Sequence, residues 1–209
     1  MRIKNYKPEE SRIWFVSDTH YNHKNICLGT SNWVDKSKTR DFLTLEEMNS
    51  AIVENINNNV KENDILFHLG DFSFGGLDSI FEFREKIKCK NIHLILGNHD
   101  HHILKNKNNT QSLFKSVNNY EHLVVGINNV KHTFVLMHYP IASWDGLTNG
   151  VMHLHGHVHL FNDERLGPGK MMDVGMDGNN LTPISIEEVV EILSKRSIKS
   201  LIKTDHHVE

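Results

Sequence analysis

Asn91-Ile92-His93-Leu94-Ile95-Leu96-Gly97-Asn98-His99-Asp100 is the stretch that decides how this chain folds. Ile92, Leu94, Ile95 and Leu96 form a short apolar run of strand character, closed by a Gly-Asn pair. An amide, an imidazole and a carboxylate follow where that strand ends. Loops at the carboxyl ends of strands are where an α/β sheet presents its chemistry, because the strand fixes the first residue beyond it. In isolation Gly-Asn-His-Asp is equally an ordinary polar turn. Its meaning depends on how the other strands end.

They end in the same way. Arg12-Ile13-Trp14-Phe15-Val16-Ser17-Asp18 reads as a buried strand delivering a carboxylate, followed by Thr19 and His20. Two residues apart in extended chain, Asp18 and His20 project to one side and can reach one cation. Asp64-Ile65-Leu66-Phe67-His68-Leu69-Gly70-Asp71 repeats the logic, with His68 inside the strand as a packed core residue. Glu121–Gly126 and Thr133–His138 read as a hairpin about Asn128-Asn129, with His138 at its tip. In Val151-Met152-His153-Leu154-His155-Gly156-His157-Val158-His159, four histidines alternate. Gly156 permits a sharp bend, so His157 and His159 are expected to do a different job from His153 and His155.

Helices fill the intervals. Thr44 and Glu47 have capping-box spacing, and Leu45, Met48, Ile52, Ile56 and Val60 recur at helical period to about residue 61. A short helix over 77–88 turns Leu77, Ile80, Phe81 and Ile87 inward, and Ser185 with Glu188 caps a last helix. Met171–Gly175 reads as a late strand. Residues 27–43 read as a loop over one rim, and 101–119 as polar and irregular, with His101 and His102 at the surface. Beyond about residue 197 the tail, including His206 and His207, is expected to be loosely held. The alternation of strand and helix predicts one α/β domain over 1–209, its core about 12–196.

Composition narrows the class. With 38% hydrophobic and 23% charged residues in 209, the chain is globular rather than disordered. No apolar run approaches the roughly 18 residues of a membrane span. The first residues lack the apolar stretch of a signal peptide, so a cytoplasmic location is the expectation. Cys27 and Cys89 support neither a disulfide framework nor a thiolate zinc site. The net charge of −3, with no basic block, argues against extended nucleic acid as a partner. Sixteen histidines raise the expectation of metal binding.

The strand tips together offer Asp18, His20, Asp71, Asn98, His138, His157 and His159. Imidazole, carboxylate and amide donors without thiolate suit Mn²⁺, Fe, Ni²⁺ or Zn²⁺. Seven donors exceed what one catalytic ion needs and suit two ions sharing a carboxylate.

Asp-x-His, Gly-Asp, Gly-Asn-His-Asp, a later His and Gly-His-x-His, in this order from residue 18 to residue 159, resemble the calcineurin-like metallophosphoesterase family. No ligand position is substituted. Residues 18–25 and 68–73 are further similar to a small single-domain subgroup of bacteria and their phages, some of whose members are regarded as cyclic-nucleotide phosphodiesterases. The resemblance implies a two-sheet β-sandwich flanked by helices. It implies that Asp18, His20 and His159 hold one divalent ion, Asn98, His138 and His157 a second, and that Asp71 bridges them. It further implies that His99 assists as the non-ligand histidine, with Asp100 orienting it. Mn²⁺ is the favoured ion. His23, Asn25 and Arg40 are candidates for contact with a substrate phosphate. A small nucleotide, 2′,3′-cyclic ones included, is the expected substrate; a phosphomonoester is the alternative.

Three other readings fit less well. The His-Asp pair of all-helical phosphohydrolases would lie in helices, whereas His99-Asp100 follows a strand. The His-x-His of metallo-β-lactamase-like hydrolases lacks its following Asp-His here. A non-catalytic partner-binding scaffold would have lost a ligand or a histidine, and none is missing.

Overall fold

The alternation of side chains along the first long strand sets the layers. In Ile13–Val16 (β2), all four residues are buried, as period-two geometry allows only when both faces are covered. Ile13 and Phe15 join Phe67, Leu123, Val125 and Phe134 in one apolar cluster, whereas Trp14 and Val16 join Met48, Ile52, Ile56 and Phe83 in another. The first cluster lies between two sheets and the second beneath helices.

The computed structural model describes residues 1–199. After β1 (Arg2–Ile3) and β2 come α1 (Leu45–Asn59), β3 (Ile65–His68), α2 (Leu77–Lys86), β4 (Asn91–Ile95), α3 (His101–Lys105), α4 (Lys107–Thr110) and β5 (Ser116–Asn118). The chain continues with β6 (Glu121–Ile127), β7 (Val130–Leu136), β8 (Met152–His155), β9 (Met171–Asp173), β10 (Ile184–Ser185) and α5 (Ile186–Ser194). One sheet has the order β10-β2-β3-β4-β5, with β2 to β5 parallel; the other has the order β1-β6-β7-β8-β9. This is the two-sheet α/β sandwich implied by the motifs.

Both expected capping boxes form, Thr44 with Glu47 and Ser185 with Glu188. The β6–β7 hairpin turns on Asn128 and Asn129, both left-handed at φ 50° and 64°, the backbone that a two-residue type I′ turn requires. No helix among the described residues is long and apolar enough to cross a membrane.

Several expectations need correction. Residues 101–119 are not irregular: they hold α3, α4 and β5. These elements are too short to show a period, since α3 buries only Ile103 and α4 only Thr110. Ordered structure also begins before residue 12, because Arg2 and Ile3 pair in parallel with Val124 and Val125. In α2 it is Phe83 that faces inward, with Ile80 and Ile87, while Phe81 is exposed. His206 and His207 lie outside the described residues.

Three histidines are spent on the core. His68 hydrogen bonds with the Thr19 hydroxyl at 2.8 Å, and His153 lies 3.2 Å from the carbonyls of both Val135 and Tyr139. Burial pulls His153 and His155 down to about 4 and His68 to about 3. A native pKa below the unfolded value of about 6.5 means the unfolded chain takes up protons first as pH falls. The stability these rings contribute is complete above pH 6.5 and is lost as pH falls toward 4. In metal-free protein, His153→Gln should therefore reduce the loss of unfolding free energy between pH 7.5 and pH 5 by about 2 kcal/mol, as measured by urea unfolding at the two pH values.

Candidate metal centre

Register brings the strand tips together. Val16 lies opposite His68 and His68 opposite Leu94, so the loops after β2, β3 and β4 leave the sheet side by side. Those loops carry Asp18 and His20, Asp71, and Asn98 and His99. The loops after β7 and β8 add His138, His157 and His159. Their approach is close enough that glycine is required between them. A Cβ on Gly97 would come within 2.2 Å of Asp71 Oδ1, and one on Gly156 within 2.0 Å of Ser17 Oγ. Gly156 thus serves close approach, and the bend expected there falls instead at His157 and His159, both with positive φ.

Two groups of donors result. Asp18, His20 and His159 form one, and Asp71, His138 and His157 the other, each with ligand atoms within 4.8 Å of one another. Asn98 joins the second, its Oδ1 3.1 Å from His138 Nε2 and 2.9 Å from His157 Nδ1. Asp71 Oδ2 stands 3.5 Å from Nε2 of both His20 and His138.

The first group fits a cation. Asp18 Oδ1 and His20 Nε2 are buried without any hydrogen-bond partner and stand 3.8 Å apart. Buried polar atoms are rarely left so. Burial holds His20 well below the usual histidine range, with His159 and Arg40 adding to the effect, so its imidazole stays neutral and keeps a lone pair. Burial, with the charges of Asp71 and Asp173 adding to it and His159 and His138 opposing it, pushes the Asp18 carboxyl up to about 6, a penalty that a bound cation would remove. In the second group, His138 Nδ1 lies 2.7 Å from the Leu69 carbonyl. Donation there fixes the tautomer that leaves Nε2 free.

Residues 11–173 match the family model of the calcineurin-like phosphoesterases. The chain belongs to that family. It is 30% identical over 192 residues to an uncharacterized protein of Methanocaldococcus jannaschii, covering 90% of this chain and 94% of that one. A protein of unknown function from Aquifex aeolicus shares the fold, with a TM-score of 0.61, 23% identity, and coverage of 87% of this chain and 99% of that one. The chain is thus a metal-dependent phosphoester hydrolase, and it carries two His/Asp groups that could hold divalent ions.

Within this phosphoesterase, the remaining expected site residues separate. His99 is at the centre, its ring 5.3 Å from that of His20, and its backbone N–H donates to Asp71 Oδ1 at 2.9 Å. His23 is also there: its Nδ1 lies 3.3 Å from His20 Nδ1 and its ring stacks on Phe74 at 4.0 Å. Asn25 instead braces its own loop, accepting from the Asn32 amide at 3.3 Å.

Arg40 and Asp100 have other work than expected. The Arg40 guanidinium is buried, donating to the Asp18 and Thr19 carbonyls and to both oxygens of Asp177, so it offers no open fork to a substrate phosphate. The Asp100 carboxylate accepts from the amides of Asp71, Phe72 and Gly97 at 2.8–2.9 Å rather than from the His99 ring. A fully buried carboxylate takes the donors nearest it, and here these are the amides of two neighbouring strand-tip loops.

Asp177 escaped the sequence reading. Its Oδ2 lies 2.7 Å from His159 Nδ1 while its carboxylate pairs with Arg40, so it orients the His159 ring from behind. Burial opposes its charge, but Arg40 and His159 together hold its pKa well below the usual carboxylate range. For His159, burial pulls downward while the Asp177 hydrogen bond and the charge of Asp18 prevail and raise it. Asp177→Ala should weaken metal binding at the Asp18–His20–His159 group by about 10–100-fold. Metal-to-protein stoichiometry after dialysis should fall, and an unchanged stoichiometry would remove this role.

Proposed function

We propose that this phosphoesterase hydrolyses phosphodiester bonds of small nucleotides, 2′,3′-cyclic nucleotides among them, with two divalent ions. The position of Asp71 Oδ2, equally distant at 3.5 Å from one histidine of each donor group, carries the proposal. One carboxylate oxygen shared in this way suits a bridge between two ions. Asp18, His20 and His159 would hold the first and Asn98, His138 and His157 the second. The donors accommodate Mn²⁺, Fe, Ni²⁺ or Zn²⁺, and Mn²⁺ is the ion the family likeness favours. When bound, such a pair polarises a phosphoryl group and lowers the pKa of water.

The chain's own residues supply the rest. His99 is anchored through its backbone to the proposed bridging Asp71, which leaves its ring to hold a proton for the leaving oxygen or to stabilise charge on the phosphate. Asp100 ties the Gly-Asp loop to the Gly-Asn-His-Asp loop, keeping Asp71 and His99 in fixed relation. Small substrates are favoured because the net charge is −3 and no basic stripe tracks a polymer.

Hydrolysis of bis-p-nitrophenyl phosphate and p-nitrophenyl phosphate, side by side in Mn²⁺ and in EDTA, tests this reading. Diester turnover should require metal and vanish in Asp71→Asn. Preference for the monoester would make the protein a phosphomonoesterase instead. No turnover of either by protein with two bound ions would point to a partner-binding scaffold. His99→Ala should lower turnover by about 10²–10⁴-fold with metal content intact; metal loss in that variant would overturn the role given to His99.

A further inference from the structure

A cavity of about 330 Å³ adjoins the metal centre, and His99 belongs to both. Phe74 and Ile80 form its apolar walls, His101 and His102 add imidazole rings beside His99, and Gly75 and Gly76, at φ 101° and 91°, add no side chains to it. Phe74 is 39% exposed although its ring is stacked on His23 at 4.0 Å and 9°. That stack holds a large aromatic ring at an open position beside the site, where an unconstrained phenylalanine would have no reason to stay. The Asp100 carboxylate borders the cavity but is fully engaged by backbone amides, so it presents no free charge to an occupant. Ser73, also lining the cavity, has a hydroxyl with no partner in the protein.

A hollow whose open surface is mostly apolar, walled by a phenylalanine and three imidazole rings and presenting no free carboxylate, recognises a flat, uncharged ring. Its volume lies at the lower end for ligand sites, enough for one nucleoside-sized group and too small for a run of them. Its position beside His99 places it where the group attached through the leaving oxygen would lie. We propose that this cavity is a nucleobase subsite, in which the base of the substrate stacks on Phe74 while its phosphoester lies at the metal centre. The proposal rests on the phosphodiesterase reading for its substrate, and it names the feature that makes that substrate a nucleotide.

Calorimetric titration of adenosine tests it without requiring turnover. Wild-type protein, with Mn²⁺ and with EDTA, should bind adenosine, and Phe74→Leu should weaken that binding by at least about fivefold, the lower bound for loss of one base–aromatic stack. Phe74→Tyr, which keeps a ring, should restore it. Ribose 5-phosphate, which has no base, should bind the Mn²⁺-loaded wild type and Phe74→Leu alike, showing that the variant is folded. No adenosine binding by the wild type, or equal binding by wild type and Phe74→Leu, would overturn the subsite even where diester turnover is found. Phe74-dependent adenosine binding by a protein without diesterase activity would support the subsite and overturn the phosphodiesterase reading instead.

Discussion

Two buried carboxylates set the terms for this structure. Asp18 and Asp71 are 0% and 2% exposed at the tips of neighbouring parallel strands. Among the described residues, no lysine or arginine nitrogen pairs with either carboxylate; their charged-type neighbours are the imidazoles of His20, His138 and His159. Burying charge without a compensating ion is costly, and neutral imidazoles offer lone pairs rather than positive charge. Carboxylates and imidazoles directed at common points, with Asp18 Oδ1 and His20 Nε2 left unpartnered, form an arrangement completed by cations. Five strand ends of the sandwich, those of β2, β3, β4, β7 and β8, lead into the loops that converge there.

Convergence is achieved at the cost of backbone strain. Asp18, His20, Asp71, His157 and His159 all have φ between 47° and 73°, a region that costs a non-glycine residue roughly 1–2 kcal/mol. Neighbouring loops hold the conformations in place. The Asp18 amide donates to the Gly70 carbonyl, the His20 amide to the Asp71 carbonyl, and the His157 amide to Asp18 Oδ2, each at 2.9–3.0 Å. Arg40 then clamps the Asp18 and Thr19 carbonyls from outside. Each loop is held by another loop that also carries a candidate donor, so the donor groups are set by the protein itself.

This division explains what could be read from the sequence. The strand tips were legible because each combines a strong local signal, an apolar run, with a donor side chain at its end. Asp71, Asn98, His138 and the Gly-His-x-His pair all followed from that rule. The Arg40–Asp177 pair was not legible, because its members meet across 137 positions of sequence and neither lies in a periodic segment. Asp177 sits just beyond the segment that matches the family, in a turn with nothing to distinguish it from other polar turns. Asp100 differs from expectation in its partners. Sequence adjacency suggested His99, whereas the buried carboxylate is surrounded by amides of the Gly-Asp loop. Elements α3, α4 and β5 were missed for a different reason: they bury too few apolar side chains for a pattern to emerge.

Charge alone does not select a diester. Under the two-ion reading, four positive charges meet the carboxylates of Asp18 and Asp71, while Arg40 and Asp177 neutralise each other behind them. The local excess is positive although the whole chain carries −3, and screening over about 8 Å lets the nearer charges dominate. Such a field attracts a dianionic monoester more strongly than a monoanionic diester. Preference for a diester must therefore come from contacts to its second ester group. The cavity shared by His99 and Phe74 offers no free carboxylate and a largely apolar open surface, so under the proposed reading substrate class would be decided at the aromatic wall beside the donor groups rather than by the ions themselves.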